Sequence, residues 1–324
     1  MNDLFASPLT PARLLVALIV STSLIPAAQA ADEATPPEQV RELPPAETRP
    51  TTFYGVDLFG QYLSRSDVDD TSGGVSVVRA GADFSMRHAV SSKFQLLGHL
   101  RHEISDYDFN RPGGLFPGAV DTQDPFDEVH ETRASLGFLY ALDEQWSLFG
   151  TGVLRAGFEG GARFEDSLTG GGFGGFGYAF TEEFSMQFGL GVLTRLEDDP
   201  LVIPIVGFRW QITDTLRAES EGIAGRLSWA ATDDFTLSAF ARYSTRDYRL
   251  DRSNDFLPGG VLRDDRLVLG AGATWTPSPA VQVSAEVGAS VWQRFRFYDE
   301  AGNELNDPNT DPQFLIGGRV EFRF

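Results

Sequence analysis

Apolar and polar residues alternate along the chain from Phe53 to its end, which is the pattern of β-strands with one apolar face. The final stretch, 313–324 (QFLIGGRVEFRF), shows this alternation most completely. One side of it carries Phe314, Ile316, Gly318, Val320, Phe322 and Phe324. The other side carries Leu315, Gly317, Arg319, Glu321 and Arg323. Because segments 94–101, 146–159, 184–192, 235–244 and 281–291 alternate in the same way, the sequence predicts an all-β chain.

The connections between the predicted strands are of two kinds. Short turns lie at 88–94, 142–146, 180–184, 212–216, 232–235 and 276–281. Most of them place Thr, Asp, Ser or Pro at the bend and then resume on an apolar or aromatic residue. Longer polar loops lie at 66–74, 106–128, 159–169, 196–200, 247–263 and 298–312. Short turns at one end and long loops at the other predict a transmembrane antiparallel meander β-barrel.

The number of strands depends on residues 216–230 (LRAESEGIAGRLSWA). This segment lies between two turns of the same kind, so it must run out and back. Each half has about seven residues, fewer than the ~9–11 that a tilted strand needs to cross a bilayer. Either the hairpin is short or one turn is misassigned, which leaves a barrel of 12 to 14 strands. An even number is expected for a single bacterial chain.

The terminal strand resembles the last strand of Gram-negative outer-membrane barrels. It is amphipathic, it ends on Phe324, and apolar residues stand two and four positions earlier. The resemblance implies that this strand closes the barrel and that Phe324 is part of the signal read by the insertion machinery. Segments 248–262 and 294–305 are similar to a proteobacterial family of outer-membrane barrels with no assigned function. The resemblance implies a fold and a location in the outer membrane of a Gram-negative bacterium, and no activity.

The first residues of the chain predict export. Residues 1–30 read as a signal peptide, with Arg13 before an apolar run at 14–25 and an A-x-A cleavage site at 28–30. Residues 31–52 are rich in Pro and Glu and predict a flexible periplasmic leader, because they have too few large apolar residues to offset the entropy of ordering. The barrel is then predicted to occupy residues 53–324.

Composition narrows the classes of function. The absence of Cys excludes disulfides, thiolate metal sites and a lipid-modified Cys anchor. A net charge of −20 argues against nucleic acid as a partner, because phosphates require a basic surface. On the polar faces of the strands, however, Arg outnumbers acid, so the surplus Asp and Glu must fall in the loops.

A set of charged residues is predicted to line the lumen, because they oppose the apolar face. They are Asp57, Arg79, Asp83, Arg101, Glu103, Arg133, Arg155, Arg209, Arg242, Glu286, Arg294, Arg319, Glu321 and Arg323. Two interpretations of this set compete. Arg and carboxylate pairs on neighbouring strands would fill the interior. Alternatively, an Arg-lined channel would focus positive potential and favour anions.

The leading prediction of function is a passive pore for small solutes, anions among them. The first alternative is a closed structural or adhesive barrel acting through its acidic extracellular loops. The second is a lipid-modifying enzyme, for which His102 and His130, flanking loop 106–128, are the best candidates. We predict that the chain is not an enzyme, because no nucleophile with a base and an orienting third group is recognisable.

The same reasoning predicts no cofactor and no dedicated metal site. The predicted partners are outer-membrane lipid, lipopolysaccharide and the barrel-assembly machinery. Divalent cations at the acidic loops are a further predicted partner, because carboxylate oxygens are suitable ligands for them.

Overall fold

In the computed structural model the chain forms a single closed antiparallel β-barrel. The structure describes residues 51–69, 71, 73–113, 115, 125–126, 128–221 and 224–324. The predicted signal peptide and nearly all of the predicted leader lie outside the described residues. Thr51 and Thr52, the last two residues assigned to the leader, begin the first strand.

Consecutive strands pair with one another around the barrel. The strands are β1 (Thr51–Asp67), β2 (Gly74–Ala89), β3 (Phe94–Asn110), β4 (Glu128–Ala141), β5 (Trp146–Glu159), β6 (Leu168–Ala179), β7 (Phe184–Arg195), β8 (Asp198–Gln211), β9 (Leu216–Glu221), β10 (Ala224–Ala230), β11 (Phe235–Arg249), β12 (Val261–Ser278), β13 (Val281–Tyr298), β14 (Glu304–Asn306), β15 (Asn309–Thr310) and β16 (Gln313–Arg323). A short 3₁₀ helix, Phe164–Ser167, precedes β6. No helix among the described residues has the length and apolar character to cross a membrane.

Fourteen of these strands form the wall, which confirms the upper end of the predicted range. The remaining two, β14 and β15, are short and lie in the connection between β13 and β16. The uncertain segment 216–230 is the short hairpin β9–β10, whose strands pair with one another over six residues. The first and last strands close the sheet, since β1 pairs with β16 from Gly55–Arg323 to Leu63–Leu315.

The outward face of the wall is apolar. Leu136, Leu154, Leu190 and Val202 each leave about three-fifths of their surface exposed, at 59–63 %. Aromatic residues ring the short-turn end: Tyr140, Trp146, Trp210, Trp229, Phe235 and Trp275. An apolar band bordered by an aromatic girdle is how a transmembrane barrel meets lipid and the lipid–water interface. The short-turn end is therefore the periplasmic end.

Side-chain oxygens hold the periplasmic turns. The Asp143 carboxylate accepts the backbone N–H groups of Trp146 (2.7 Å) and Gln145 (2.8 Å), and these two bonds lower the Asp143 pKa. Thr181 and Thr213 accept equivalent backbone bonds in two other turns. These are the local hydrogen bonds for which Thr and Asp are favoured at bends.

The wall is not of uniform height. Strands β9 and β10 end early, and β8 pairs with β9 only from Arg209 to Gln211. At the extracellular end β11 instead meets β5, with which it forms a parallel bridge between Arg249 and Phe158. This contact, which we call the clasp, closes a smaller ring of nine strands: β1–β5, β11–β13 and β16.

Gly157 is necessary for the clasp. A Cβ atom built at this position would stand 2.0 Å from the backbone oxygen of Asp247 on β11, so a side chain here would force the two strands apart. Its neighbour Gly160 has no atom within 4 Å of an equivalent Cβ. Close backbone approach therefore explains the glycine at 157 and not at 160.

The outward face predicts a depth-dependent response to charge. We expect Leu136→Arg, near mid-strand in β4, to lower the free energy of unfolding by about 2–4 kcal/mol, because lipid at the bilayer midplane cannot solvate the cation. The control, Leu142→Arg at the periplasmic turn, should cost about 0–1 kcal/mol. Denaturant unfolding in lipid vesicles, followed by Trp fluorescence, measures both values. Equal costs at the two sites would contradict this assignment of the lipid-facing band.

Candidate functional site: a divided lumen

The inward face of the barrel carries nearly all of the charged residues predicted for the lumen. Cross-strand partners such as Asp57 and Asp83, or Arg133 and Arg155, lie side by side on that face. Arg294 differs. The register between β12 and β13 shifts beyond the Leu267–Trp292 pair, so Arg294 pairs with Asp265 on the outward face and contacts Asp307. A β-bulge moves every later residue to the opposite face, which simple alternation cannot anticipate.

Asp264 is the centre of a buried ion network beneath the extracellular end. Its carboxylate is fully buried and accepts four hydrogen bonds. The donors come from four strands: Arg79 (2.8 Å), Tyr107 (2.7 Å), Arg266 (3.0 Å) and Gln293 (2.7 Å). With so many donors the carboxylate is well compensated for leaving water, and it joins β2, β3, β12 and β13 across the interior.

Two glutamates extend this network across the ring. Glu103, 2 % exposed, contacts Arg101 at 2.7 Å, Arg246 at 3.0 Å and Arg79 at 3.7 Å. Glu131 contacts Arg155 at 3.2 Å and Arg133 at 3.6 Å. Through the Glu103–Arg246 pair the network links β1–β5 to β11–β13, the two groups of strands that the clasp brings together. Here the lumen is filled by ion pairs, as the first of the two interpretations predicts.

Above the ion network lies an aromatic plug, which we define as Tyr107, Phe109, Phe126, Tyr248 and Phe295. Phe126 stands edge-on to Tyr107 and to Phe109, with ring centroids 5.2 and 5.3 Å apart. Phe295 contacts the same two rings at 6.3 and 5.9 Å. Aliphatic residues of the same cluster surround the plug: Leu63, Val75, Val77, Leu115, Val129, Leu250, Leu257, Leu262 and Leu315. The extracellular end of the nine-strand ring is therefore packed like a protein core.

Below the ion network the lumen is accessible to water. We call this part the periplasmic vestibule and define it by the inward side chains of the lower strands. Its charges are Asp57, Asp83, Arg87, Arg101, Arg209, Arg217, Glu219, Arg226, Arg242, Glu286, Arg319, Glu321 and Arg323. Arg217 and Arg323 leave 44 % and 38 % of their side chains exposed, although they point inward. Because Arg outnumbers acid here, the vestibule carries an excess of positive charge.

Strands β5–β8 enclose a further space beside the ring, which we call the side chamber. Its inner wall is apolar: Val153, Phe173, Leu193, Leu201, Ile203 and Ile205 form one cluster. A cavity of about 30 Å³ remains at its upper end, bounded by Arg133, Arg155, Arg195 and Asp247 among others. The β7–β8 turn seals the chamber at the top, because Arg263 of β12 bonds both Asp198 (2.7 Å) and the carbonyl of Leu196 (3.3 Å).

An extracellular cleft of about 400 Å³ lies over the clasp among the loops. Arg249 forms its floor and bonds Glu197, the carbonyl of Gly259 (2.9 Å) and that of Asp166 (3.2 Å). Arg252, on its rim, approaches Glu300 at 3.3 Å. The cleft is thus lined by paired charges and ties three loops to the end of β11.

The candidate histidines lie on the outward face. His102 and His130 stack with ring centroids 5.7 Å apart, and His130 stacks in turn on Phe158 at 5.4 Å. His102 bonds the Thr132 hydroxyl at 2.9 Å, and His130 approaches Glu128 at 3.2 Å. The two candidate histidines are therefore neighbours. They lie outside the lumen, however, at the extracellular edge of the lipid-facing band.

Asp264 belongs to the ion network in the lumen, whereas Asp247 and Arg263 form a buried pair on the outward face of β11 and β12. None of the three is in the sequence-based set of lumen residues. The segment 261–268, VLRDDRLV, places four charged residues in succession. Alternation therefore assigns two of them to each face of the strand and cannot tell which face is polar. A run of four charges inside a strand otherwise bounded by Val and Leu was the available signal. Among the described residues, no three His, Asp or Glu side chains lie together in a way that would hold a metal ion.

The network predicts a large difference between buried and exposed pairs. We expect Asp264→Leu to destabilise the barrel by about 3–5 kcal/mol, because it leaves Arg79 and Arg266 buried without this carboxylate. The matched control is Asp108→Leu, which removes the exposed Arg65–Asp108 pair and should cost about 0–1 kcal/mol. Denaturant unfolding of the refolded barrels measures both. A cost for Asp264→Leu no greater than that of the control would contradict a network that supports the ring.

Comparison with known proteins gives matches among solved structures only. No protein-family profile and no curated protein matches the sequence. Among solved structures, the chain is similar to a FadL homologue of Pseudomonas aeruginosa, with 12 % identity, a TM-score of 0.45, and coverage of 85 % of this chain and 90 % of that one. It is also similar to the toluene transporter TodX of P. putida, with 9 % identity, a TM-score of 0.43, and coverage of 86 % and 91 %. Similarity at this level concerns the barrel and assigns no solute.

Proposed function

We propose that this chain is an outer-membrane channel for small solutes whose extracellular end is closed in the conformation described. The observation that carries the proposal is the division of the lumen. A charged, water-accessible vestibule opens to the periplasm, and a packed plug closes the other end. A barrel built only for structure has no need of a solvated vestibule, whereas a channel does.

The charge of the vestibule supports anions as the favoured solutes. Its Arg residues lie on opposite walls, with Arg242 paired to Glu286 at 3.1 Å and Arg101 paired to Glu103 at 2.7 Å. After this pairing an excess of guanidinium groups remains, and a lumen with low-dielectric walls focuses their positive potential. One structural neighbour is a toluene transporter. An apolar solute of that kind requires an apolar route. The vestibule is charged, so it does not favour such a solute.

A closed structural or adhesive barrel is the second candidate, and the plug itself favours it. In that case the extracellular loops would be the functional surface, with lipopolysaccharide and divalent cations as partners. The barrel-assembly machinery remains a proposed partner under either function, through Phe324 at the periplasmic rim. The Phe324 backbone bonds that of Tyr54 in both directions, at 2.9 and 3.2 Å.

Removal of the plug distinguishes the two candidates. We expect wild-type barrels in planar bilayers to remain mostly closed and Phe109→Ala/Phe126→Ala barrels to show frequent conductance steps, because two rings of the plug are deleted. The control, Tyr54→Ala/Phe84→Ala, removes a stacked pair of rings from the lipid-facing side and should stay closed. Circular dichroism verifies that each variant keeps its strand content. A folded plug variant with no conductance would overturn the channel and favour the closed barrel.

A further inference from the structure

The wall of the barrel is interrupted beside the side chamber. Above Gly207, β8 pairs with β7 only, and above Ala241, β11 has no pairing with β10. Strand β8 also contains Pro200 and Pro204, which cannot donate a backbone hydrogen bond and are tolerated at a strand edge. Among the described residues, the edges of β8 and β11 therefore face each other without a strand between them.

This interruption lies at the depth of the outer leaflet. Trp210 belongs to the periplasmic aromatic girdle, and about 9–11 tilted residues cross the bilayer core. Counting about ten residues up β8 from Trp210, residues 201–205 fall in the extracellular half of the membrane. An unpaired strand edge at this depth is tolerated only where it is buried in protein or lines a water-filled cavity, because lipid cannot satisfy its backbone groups.

The two walls behind the interruption differ in character. The inner face of β5–β8 is apolar, with Ile203 fully buried and Phe173 and Val153 each 8 % exposed. The opposite wall is the outward face of β11 and β12, where Asp247 binds Arg263 at 2.6 Å. This face would meet lipid in a regular barrel. It is buried instead, and its residues Tyr243, Thr245 and Asp247 are polar.

The cavity at the head of the chamber has an excess of positive charge. Arg133, Arg155 and Arg195 border it together with Asp247. Each of these arginines has a carboxylate partner, Glu131 for the first two and Asp198 for the third. With Arg263, which binds Asp198 and Asp247, four guanidinium groups meet three carboxylates, so one positive charge is in excess. Its volume of about 30 Å³ is the space of one or two water molecules, so a ligand must displace side chains of the apolar cluster to enter. The free edge of β8 makes this displacement feasible, because no hydrogen-bond ladder with β9 must be broken above Phe208.

We propose that the side chamber binds a small amphiphile with one anionic head group, which enters from the outer leaflet through the interruption between β8 and β11. The apolar part occupies the cluster around Ile203 and Phe173, and the head group lies beside Arg155 and Arg195. The site extends the proposed channel by adding a lateral route and a second class of solute. Its test measures binding and not permeation, so its failure leaves the channel proposal intact.

Photoaffinity labelling of the full-length barrel in lipid vesicles tests this site. The probes are decanoate and decanol, each with a diazirine at the chain end, and the labelled residues are mapped by mass spectrometry. We expect the carboxylate to label the inner residues of β5–β8 at least 5-fold more than the alcohol does. We expect Ile203→Trp, which fills the chamber, to abolish this labelling. The control is Val202→Trp, its lipid-facing neighbour at 59 % exposure, which should label as the wild type does.

Three results would overturn the proposal. Labelling confined to outward residues such as Val202 and Val206 would mean that the probe samples bulk lipid only. Equal labelling by the alcohol would show that the chamber does not recognise an anionic head group. Unchanged labelling in folded Ile203→Trp barrels would place the probe elsewhere. Arg155→Gln/Arg195→Gln provides a second arm, since it should reduce labelling by the carboxylate at least 3-fold and leave that by the alcohol unchanged.

Discussion

The contact between β5 and β11 organises the extracellular half of this barrel. Fourteen strands enclose too wide a lumen for side chains alone to fill, whereas a ring of nine is narrow enough for aromatic rings and ion pairs to pack across it. The clasp makes that reduction by bringing Gly157 against the backbone of Asp247, an approach that only glycine permits. The buried network around Asp264, the aromatic plug and the side chamber with its sealed top all depend on the smaller ring.

The clasp also explains why charged residues occupy both faces of upper β11 and β12. In a regular barrel their outward faces would meet lipid, and Arg263 or Asp265 there would be costly. Because β5–β8 and the β7–β8 turn cover this surface, its guanidinium groups and carboxylates can pair with one another. Arg263 binds Asp247 and Asp198, and Arg296 binds Asp265 at 2.5 Å. A single contact thus produces two differently lined compartments from one continuous sheet.

The sequence predicted the regular parts of this architecture because they repeat. Alternation identified the strands and their lipid-facing sides, and the turn chemistry identified the periplasmic end. Alternation and turn chemistry could not predict the clasp, because β5 and β11 are separated by five strands in the sheet. Their contact follows from the early end of β9 and β10. Arg294 shows a second limit, because one bulge reverses the face of all the residues that follow it. Pro200 and Pro204 in β8 are consistent with a free strand edge. They indicate such an edge only once the neighbouring hairpin, β9–β10, is known to be short.

The division of the lumen is tested most directly by the side from which single cysteines react. The chain has no Cys, so each introduced thiol is unique. Barrels with Ser284→Cys in the vestibule, Ser105→Cys in the buried ion network or Ser253→Cys in an extracellular loop would be oriented in vesicles and treated with a membrane-impermeant maleimide. In a divided lumen, Ser284→Cys reacts only from the periplasmic side, Ser253→Cys only from the extracellular side, and Ser105→Cys slowly from either. Reaction of Ser284→Cys at equal rates from both sides would contradict this division.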